Sequence, residues 1–199
     1  YPSSYLGGWF DYIFEENPDM QLDAILETSR GCPNTCAYCD WASMKSKIRQ
    51  FPLERIYAEL DWISEHKFYG FGLADSNFGM FERDSEITDK IIENKKRTGY
   101  PVKIQTSYAK NGSERLFNIG YKLEKNDMSK GITLSFQSMN EEVLKNIGRQ
   151  NISLSFFSEL MNLYNEAGIP PYPELILGLP GETYESLADG IDELLNLGQ

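Results

Sequence analysis

The sequence predicts an α/β fold in which about five strand–helix units set up a parallel sheet, either an open layer or part of a barrel. Three observations predict it. Short strand-like runs alternate with amphipathic helical stretches from residue 22 onward, a beat that implies right-handed crossovers between parallel strands. Polar or glycine-containing clusters follow each strand run, and in both arrangements the C-terminal strand ends carry the functional groups. Hydrophobic residues make up 41% and charged residues 25% of the 199 residues, which is an ordinary globular balance.

Residues 1–21 read as a lead-in or a linker from an upstream domain, and residues 22–199 as the core domain. Tyr1, Tyr5, Trp9, Phe10, Tyr12 and Phe14 surround Gly7-Gly8. So many aromatics suggest a segment packed on this domain or on a preceding one. Residues 23–28 form the first strand and feed the loop that holds every cysteine. Pro52 opens a helix with Leu53, Ile56, Leu60 and Ile63 on one face. Residues 69–74 are the second strand, followed by the loop Asp75-Ser76-Asn77-Phe78-Gly79. Ser85 is expected to cap a helix that runs to Thr98, where Gly99 suits the C-terminal turn. Residues 102–106 are the third strand and 113–124 its helix; residues 131–137 are the fourth strand, with helices at 141–147 and 155–167. Leu175-Ile176-Leu177 is the fifth strand, opened by Glu174, and residues 184–197 its helix. Five such units leave a free parallel edge, so a sixth strand and further C-terminal structure are expected outside this sequence.

The chemistry centres on Arg30-Gly31-Cys32-Pro33-Asn34-Thr35-Cys36-Ala37-Tyr38-Cys39-Asp40-Trp41. All 3 cysteines lie there, spaced C-x3-C-x2-C. Soft thiolates select zinc, copper(I) or iron–sulfur clusters. Closed zinc sites bring four ligands and ordinary iron–sulfur carriers four cysteines; here there are three, with no histidine nearby. A cubane on three thiolates keeps one iron open to a ligand that is not protein. An odd count at short spacing argues against disulfides. The alternative from another class is an iron–sulfur electron-transfer or zinc-binding module, which needs a fourth ligand. His66, the single histidine, ends a helix and reads as solvent-facing.

These residues resemble the radical S-adenosylmethionine (SAM) superfamily, whose signature C-x3-C-x-aromatic-C is matched by Cys32, Cys36, Tyr38 and Cys39. The resemblance covers the chain from about Asp23 to its end and implies a partial (β/α) barrel of the radical SAM type. It implies a [4Fe-4S] cluster as a metal centre on the three cysteines, with SAM on the open iron. Reduction would cleave SAM to methionine and a 5′-deoxyadenosyl radical. Tyr38 belongs to the same cofactor-binding loop. Gln137 and Arg149 resemble the polar pair that contacts the ribose and the SAM carboxylate, for which a planar guanidinium is suited. Glu174 resembles a ribose-binding acid. Ile176 and Gly178, in the run through Gly178-Leu179-Pro180-Gly181-Glu182-Thr183, resemble the segment whose backbone lies against adenine, where glycine permits close approach. One departure stands out. The family's Gly-Gly-Glu-type run is replaced by Ala74-Asp75-Ser76-Asn77, so Asp75 or Ser76 is the candidate for the SAM amino group. Lys110 is a candidate for substrate or a SAM oxygen.

Pro2-Ser3-Ser4-Tyr5-Leu6-Gly7 and Cys39-Asp40-Trp41 look like members with an upstream cobalamin-binding domain, many of which methylate unactivated carbon. The resemblance thus implies a small-molecule or natural-product-like substrate, cobalamin bound outside these residues, and an electron donor such as flavodoxin or ferredoxin. The alternative enzyme is a cobalamin-independent one such as an RNA methylthiotransferase. The net charge of −11 opposes a broad footprint on nucleic acid. No apolar run approaches the roughly 20 residues of a membrane span. Thiols that must stay reduced place the protein in the cytoplasm.

Overall fold

The computed structural model describes residues 2–17, 19–42, 47–110, 113–129 and 131–197; Tyr1 of the aromatic lead-in lies outside them. The elements follow in order: α1 (Asp11–Glu16), β1 (Asp23–Leu26), β2 (Ser29–Arg30), a 3-10 turn at Asp40–Ala42, β3 (Arg49–Gln50), α2 (Leu53–Glu65), β4 (Gly70–Phe78) and α3 (Arg83–Thr98). Next come β5 (Lys103–Tyr108), α4 (Glu114–Lys125), β6 (Ile132–Gln137), α5 (Glu141–Asn146), α6 (Leu154–Ala167), β7 (Pro171–Leu175) and α7 (Tyr184–Asn196).

Strands β1, β4 and β5 form one parallel sheet, and β6 and β7 another. Strand β5 adjoins β6. The strand order therefore follows the chain without the reversal that marks a doubly wound layer. This sequential order fits a partial barrel and not a doubly wound layer. Alternation decides which side chains face the helices. Ala24 and Leu26 are buried while Asp23 and Ile25 are exposed, and Ile104 is buried between exposed Lys103 and Gln105. Ile56, Leu60 and Ile63 of α2, at helical spacing, meet Ile87 and Ile91 of α3 over β1 and β4. A second core joins β6 to α4, α6 and α7 through Leu134, Leu116, Phe157 and Leu194. Gly99 ends α3 in the left-handed conformation at φ 86, donating its N–H to the Lys95 carbonyl at 2.8 Å.

The lead-in packs on this domain. Tyr5 packs on Trp62 in a tilted arrangement, with centroids 5.3 Å apart, and Phe14 meets Phe68 at 5.7 Å. The Tyr5 hydroxyl donates to the Ile25 carbonyl at 2.6 Å and accepts from the Ile25 N–H at 3.0 Å. One side chain thus satisfies the free edge of β1, which otherwise invites pairing with another strand. His66 is exposed and stacks on Trp62 at 3.9 Å.

Four expectations are corrected. Helix α3 starts at Arg83, so Ser85 lies inside its first turn and caps nothing. Strand β4 continues through Asp75-Ser76-Asn77 to Phe78, because partners on the cysteine loop satisfy those polar side chains. Strand β7 precedes its expected place: Pro171 and Pro173 lie within it, and Ile176 and Leu177 follow it. Among the described residues β7 pairs with β6 alone, and proline is tolerated on a strand that has no second partner. Glu174 is consequently near the strand's end and not its beginning.

Candidate active site

The cysteine loop leaves β1 at the C-terminal mouth of the sheet and is fastened from three sides. From β4, the Asp75 carboxylate accepts from the Thr28 N–H at 2.7 Å and from the Thr28 and Ser29 hydroxyls at 2.6 and 2.7 Å. The Ser76 hydroxyl donates to the carbonyl of Gly31 at 2.7 Å. Gly31 has φ 105, which a side chain would strain. From the turn after α5, the Ile147 carbonyl accepts from the Ala37 N–H at 2.9 Å. Beyond the thiols, β2 and β3 pair antiparallel through Ser29 with Gln50 and Arg30 with Arg49.

Cys32 and Cys36 are buried and Cys39 half-buried, and all three are free thiols. The Asn77 amide donates to Cys32 Sγ at 3.1 Å, and Lys110 Nζ lies 3.2 Å from Cys36 Sγ. Burial by itself would push the Cys32 thiol up. The Asn34 N–H, the Asn77 and Asn34 amides and the Lys110 charge outweigh it and bring the thiol below its ordinary range. Three soft donors beside N–H groups suit a four-iron cluster, whose ligands each take a different iron. Among the described residues, no three Cys, His, Asp or Glu side chains group closely enough for a single metal ion. A cubane makes no such demand, whereas a zinc ion needs its ligands within about 2.3 Å of one point.

Next to the thiols lies a cavity of about 330 Å³ lined by Cys32, Tyr38, Cys39, Ser76, Lys110, Gln137 and Glu174, among others. Residues from the first cysteine loop to β7 thus meet at one mouth. Gln137 is buried at the end of β6 with φ 72. A non-glycine residue in the left-handed region is strained, and such strain concentrates at ligand sites. The carboxylate of Glu174 accepts from the Ser135 hydroxyl at 2.6 Å, which aligns it along the cavity wall.

Arg149 stands behind this mouth. It is buried, and its guanidinium donates to Asn151 Oδ1 at 2.8 Å, to the Tyr38 hydroxyl at 3.2 Å and to the Ser135 carbonyl. Burial pushes the Tyr38 hydroxyl up to about 12, against the lowering effect of Arg149, so Tyr38 stays a neutral phenol. Arg149 also lines a larger groove of about 960 Å³ on the outer side of the loop, with Pro33, Thr35, Phe136 and Leu144. No thiol lines that groove, so the smaller cavity is the one that adjoins the cysteines.

Beyond Cys36 and Arg149, three more sequence candidates do not line the cavity. Asp75 is buried beneath the loop, with both oxygens taken by Thr28 and Ser29, and this leaves Ser76 as the polar group facing the mouth from β4. Ile176 packs with Val143, Ile147 and Leu179. Gly178 is exposed on the connection beyond β7, with φ 85 and open space around it. Sequence reading placed Asn77 at the mouth without a role, and it missed Gln105, Thr133 and Ser135. The last three line the cavity, and period-two alternation along β5 and β6 was the signal that could have found them.

Comparison with known proteins adds the following. Residues 26–194 match the family model described as the radical SAM superfamily. The chain is 40% identical over 200 residues to the 2-(S-pantetheinyl)-carbapenam-3-carboxylate methyltransferase of Streptantibioticus cattleyicolor, covering 99% of this chain and 29% of that protein. It is 38% identical to the cobalamin-dependent radical SAM methyltransferase TokK of Streptomyces tokunonensis, with the same shares covered. The chain therefore spans less than a third of the length of these curated relatives. A solved structure of the radical SAM methyltransferase TsrM from Kitasatospora setae superposes with a TM-score of 0.70 at 18% identity, covering 88% of this chain and 34% of that one. That likeness concerns the fold alone.

Proposed function

Because the chain belongs to the radical SAM superfamily, we propose that it holds a [4Fe-4S] cluster on Cys32, Cys36 and Cys39 and cleaves SAM reductively to methionine and a 5′-deoxyadenosyl radical. The observation that carries this reading is the three-thiol loop opening onto a polar cavity at the strand ends. When bound, such a cluster supplies one low-potential electron and one open iron. The chain's own residues do the rest. Gln137 and Glu174 offer an amide and a carboxylate to ribose hydroxyls, and Ser76 offers an oxygen to the SAM ammonium. The amide of Asn151 donates to the carbonyls of Phe136 and Ser138, and its Oδ1 holds the Arg149 guanidinium beside Tyr38. Arg149 thereby provides positive charge behind the site for the SAM carboxylate, while Tyr38 screens it from water.

The identity to two methyltransferases over nearly the whole chain supports a narrower reading: methyl transfer to an unactivated carbon of a small, natural-product-like molecule, with cobalamin. In that reading cobalamin is held by residues outside this sequence, and a flavodoxin or ferredoxin delivers the electron in the cytoplasm. Among the described residues no helix is long and apolar enough to cross a membrane. The test is anaerobic reconstitution, iron and sulfide analysis, and a SAM-cleavage assay with dithionite. About four irons per chain are expected, with 5′-deoxyadenosine formed by the native protein and neither result for Cys36→Ala. A Cys36→Ala protein with full iron content would overturn the reading. Methyl transfer by the full-length protein without cobalamin would remove the narrower one alone.

A further inference from the structure

We propose that Lys110, assisted by Asn77, sets the reduction potential of the cluster by donating hydrogen bonds to the sulfur atoms of two of its ligands. The inference rests on the reading that the three cysteines hold a four-iron cluster. The geometry is specific. Lys110 Nζ is 3.2 Å from Cys36 Sγ and Asn77 Nδ2 is 3.1 Å from Cys32 Sγ. Asn77 is buried at the end of β4, and its amide donates to the Ser76 hydroxyl at 3.0 Å as well. Lys110 lies two residues beyond β5 and lines both the cavity beside the cysteines and a smaller pocket of about 230 Å³ lined by Asn34 and Asn77. The chain carries 30 acidic residues against 19 basic ones. Yet among the described residues no carboxylate forms an ion pair with Lys110. Its ammonium is directed at a thiol that is 2% exposed.

The sign of the effect follows from charge. Three thiolates already make a [4Fe-4S] centre anionic, and one-electron reduction adds a further negative charge without forming or breaking a bond. A cation and an amide N–H aimed at the ligand sulfurs stabilise the reduced form, as hydrogen bonds to cluster sulfurs generally do. The buried setting screens this interaction weakly. Both residues therefore raise the potential, and the full charge of Lys110 raises it more than the dipole of Asn77. Lys110 acts through the cysteine sulfur, so it is a positioning and tuning residue.

The experiment is an EPR-monitored redox titration of the reconstituted protein without SAM, comparing native protein with Lys110→Met, Lys110→Arg and Asn77→Ala. At a fixed ambient potential Lys110→Met should show at least a tenfold lower ratio of reduced to oxidised cluster, equivalent to about 59 mV for a one-electron couple. Lys110→Arg should restore most of it, and Asn77→Ala should show a smaller drop in the same direction. Equal potentials in native protein and Lys110→Met, with native iron content in both, overturn the proposal and leave the cluster reading intact. Absence of a cluster from the native protein overturns the underlying reading instead. Should Lys110→Met take up no iron, Lys110→Gln is titrated in its place. Failure of both variants to load, with native helix content, would assign Lys110 to cluster assembly and overturn the tuning role.

Discussion

The Asp75 carboxylate accepts both the main-chain N–H and the side-chain hydroxyl of Thr28, at 2.7 and 2.6 Å. The bond crosses from β4 to the chain just beyond β1, at the point where the cysteine loop begins. It explains why a strand can carry Asp75-Ser76-Asn77 inside its span. Each residue faces a partner on that loop: Thr28 and Ser29, Gly31, and Cys32. The middle strand thus serves as the template on which the cysteine loop is shaped.

Asp75→Ala should therefore destabilise the protein and disturb the loop together. A hydrogen bond to a charged group is worth about 1.5–3 kcal/mol, and the variant leaves a buried N–H and two hydroxyls without their acceptor. A loss of at least about 3 kcal/mol by urea unfolding is expected, with iron uptake on reconstitution clearly reduced. Asp75→Asn, which keeps one acceptor oxygen, should fall between native and alanine. An alanine variant with native stability and native iron content would show that the loop does not depend on β4.

Gln137 separates backbone strain from side-chain recognition. Its φ of 72 is unfavourable for a residue with a Cβ, by about 1–2 kcal/mol. Gln137→Ala keeps the strain and loses the amide, whereas Gln137→Gly loses both. The glycine variant should be the more stable of the two by about 1 kcal/mol. Both should bind SAM about tenfold more weakly than native protein, since one lost polar contact is worth about 1.4 kcal/mol. Calorimetry showing native SAM affinity in both variants would confine Gln137 to a backbone role.

Much of this was readable from residue types. The three thiols, Gln137 at a strand end and Lys110 after another strand follow from the strand–helix beat, because a parallel sheet places all such ends on one side. What was not readable is equally physical. A carboxylate after a strand looks the same whether it binds a ligand or braces a neighbouring loop; only the approach of Thr28 distinguishes the two for Asp75. Prolines at 171 and 173 argue against a strand unless it lies at an edge, and edge position is a property of the whole sheet. Strands β2 and β3 have 2 residues each, too few for any periodicity. The left-handed Gln137 has no local signal either, since glutamine is not a residue that prefers it.

Asp84 offers a test of the core by pH. It is 2% exposed, and its Oδ2 accepts from the Gly79 N–H at 2.8 Å and the Phe81 N–H at 3.0 Å, closing the turn between β4 and α3. Burial raises its pKa above the ordinary 3.8; the two N–H groups oppose that shift and the nearby Asp75 charge adds to it. The folded protein therefore binds this proton more tightly than the unfolded chain does. The sign follows: the contribution of Asp84 to stability is fully present below 3.8, falls as pH rises towards the raised folded value, and is constant above it. Asn at this position still presents a carbonyl oxygen to both N–H groups but carries no charge to bury. Asp84→Asn should thus be more stable than native protein near neutral pH, and the gap should shrink as pH falls toward roughly 4. Taking the difference between the two proteins cancels the titration of every other carboxylate. Urea unfolding of both at several pH values reads it directly. A gap that stays flat with pH, or widens on acidification, would mean that the two N–H bonds outweigh burial at Asp84.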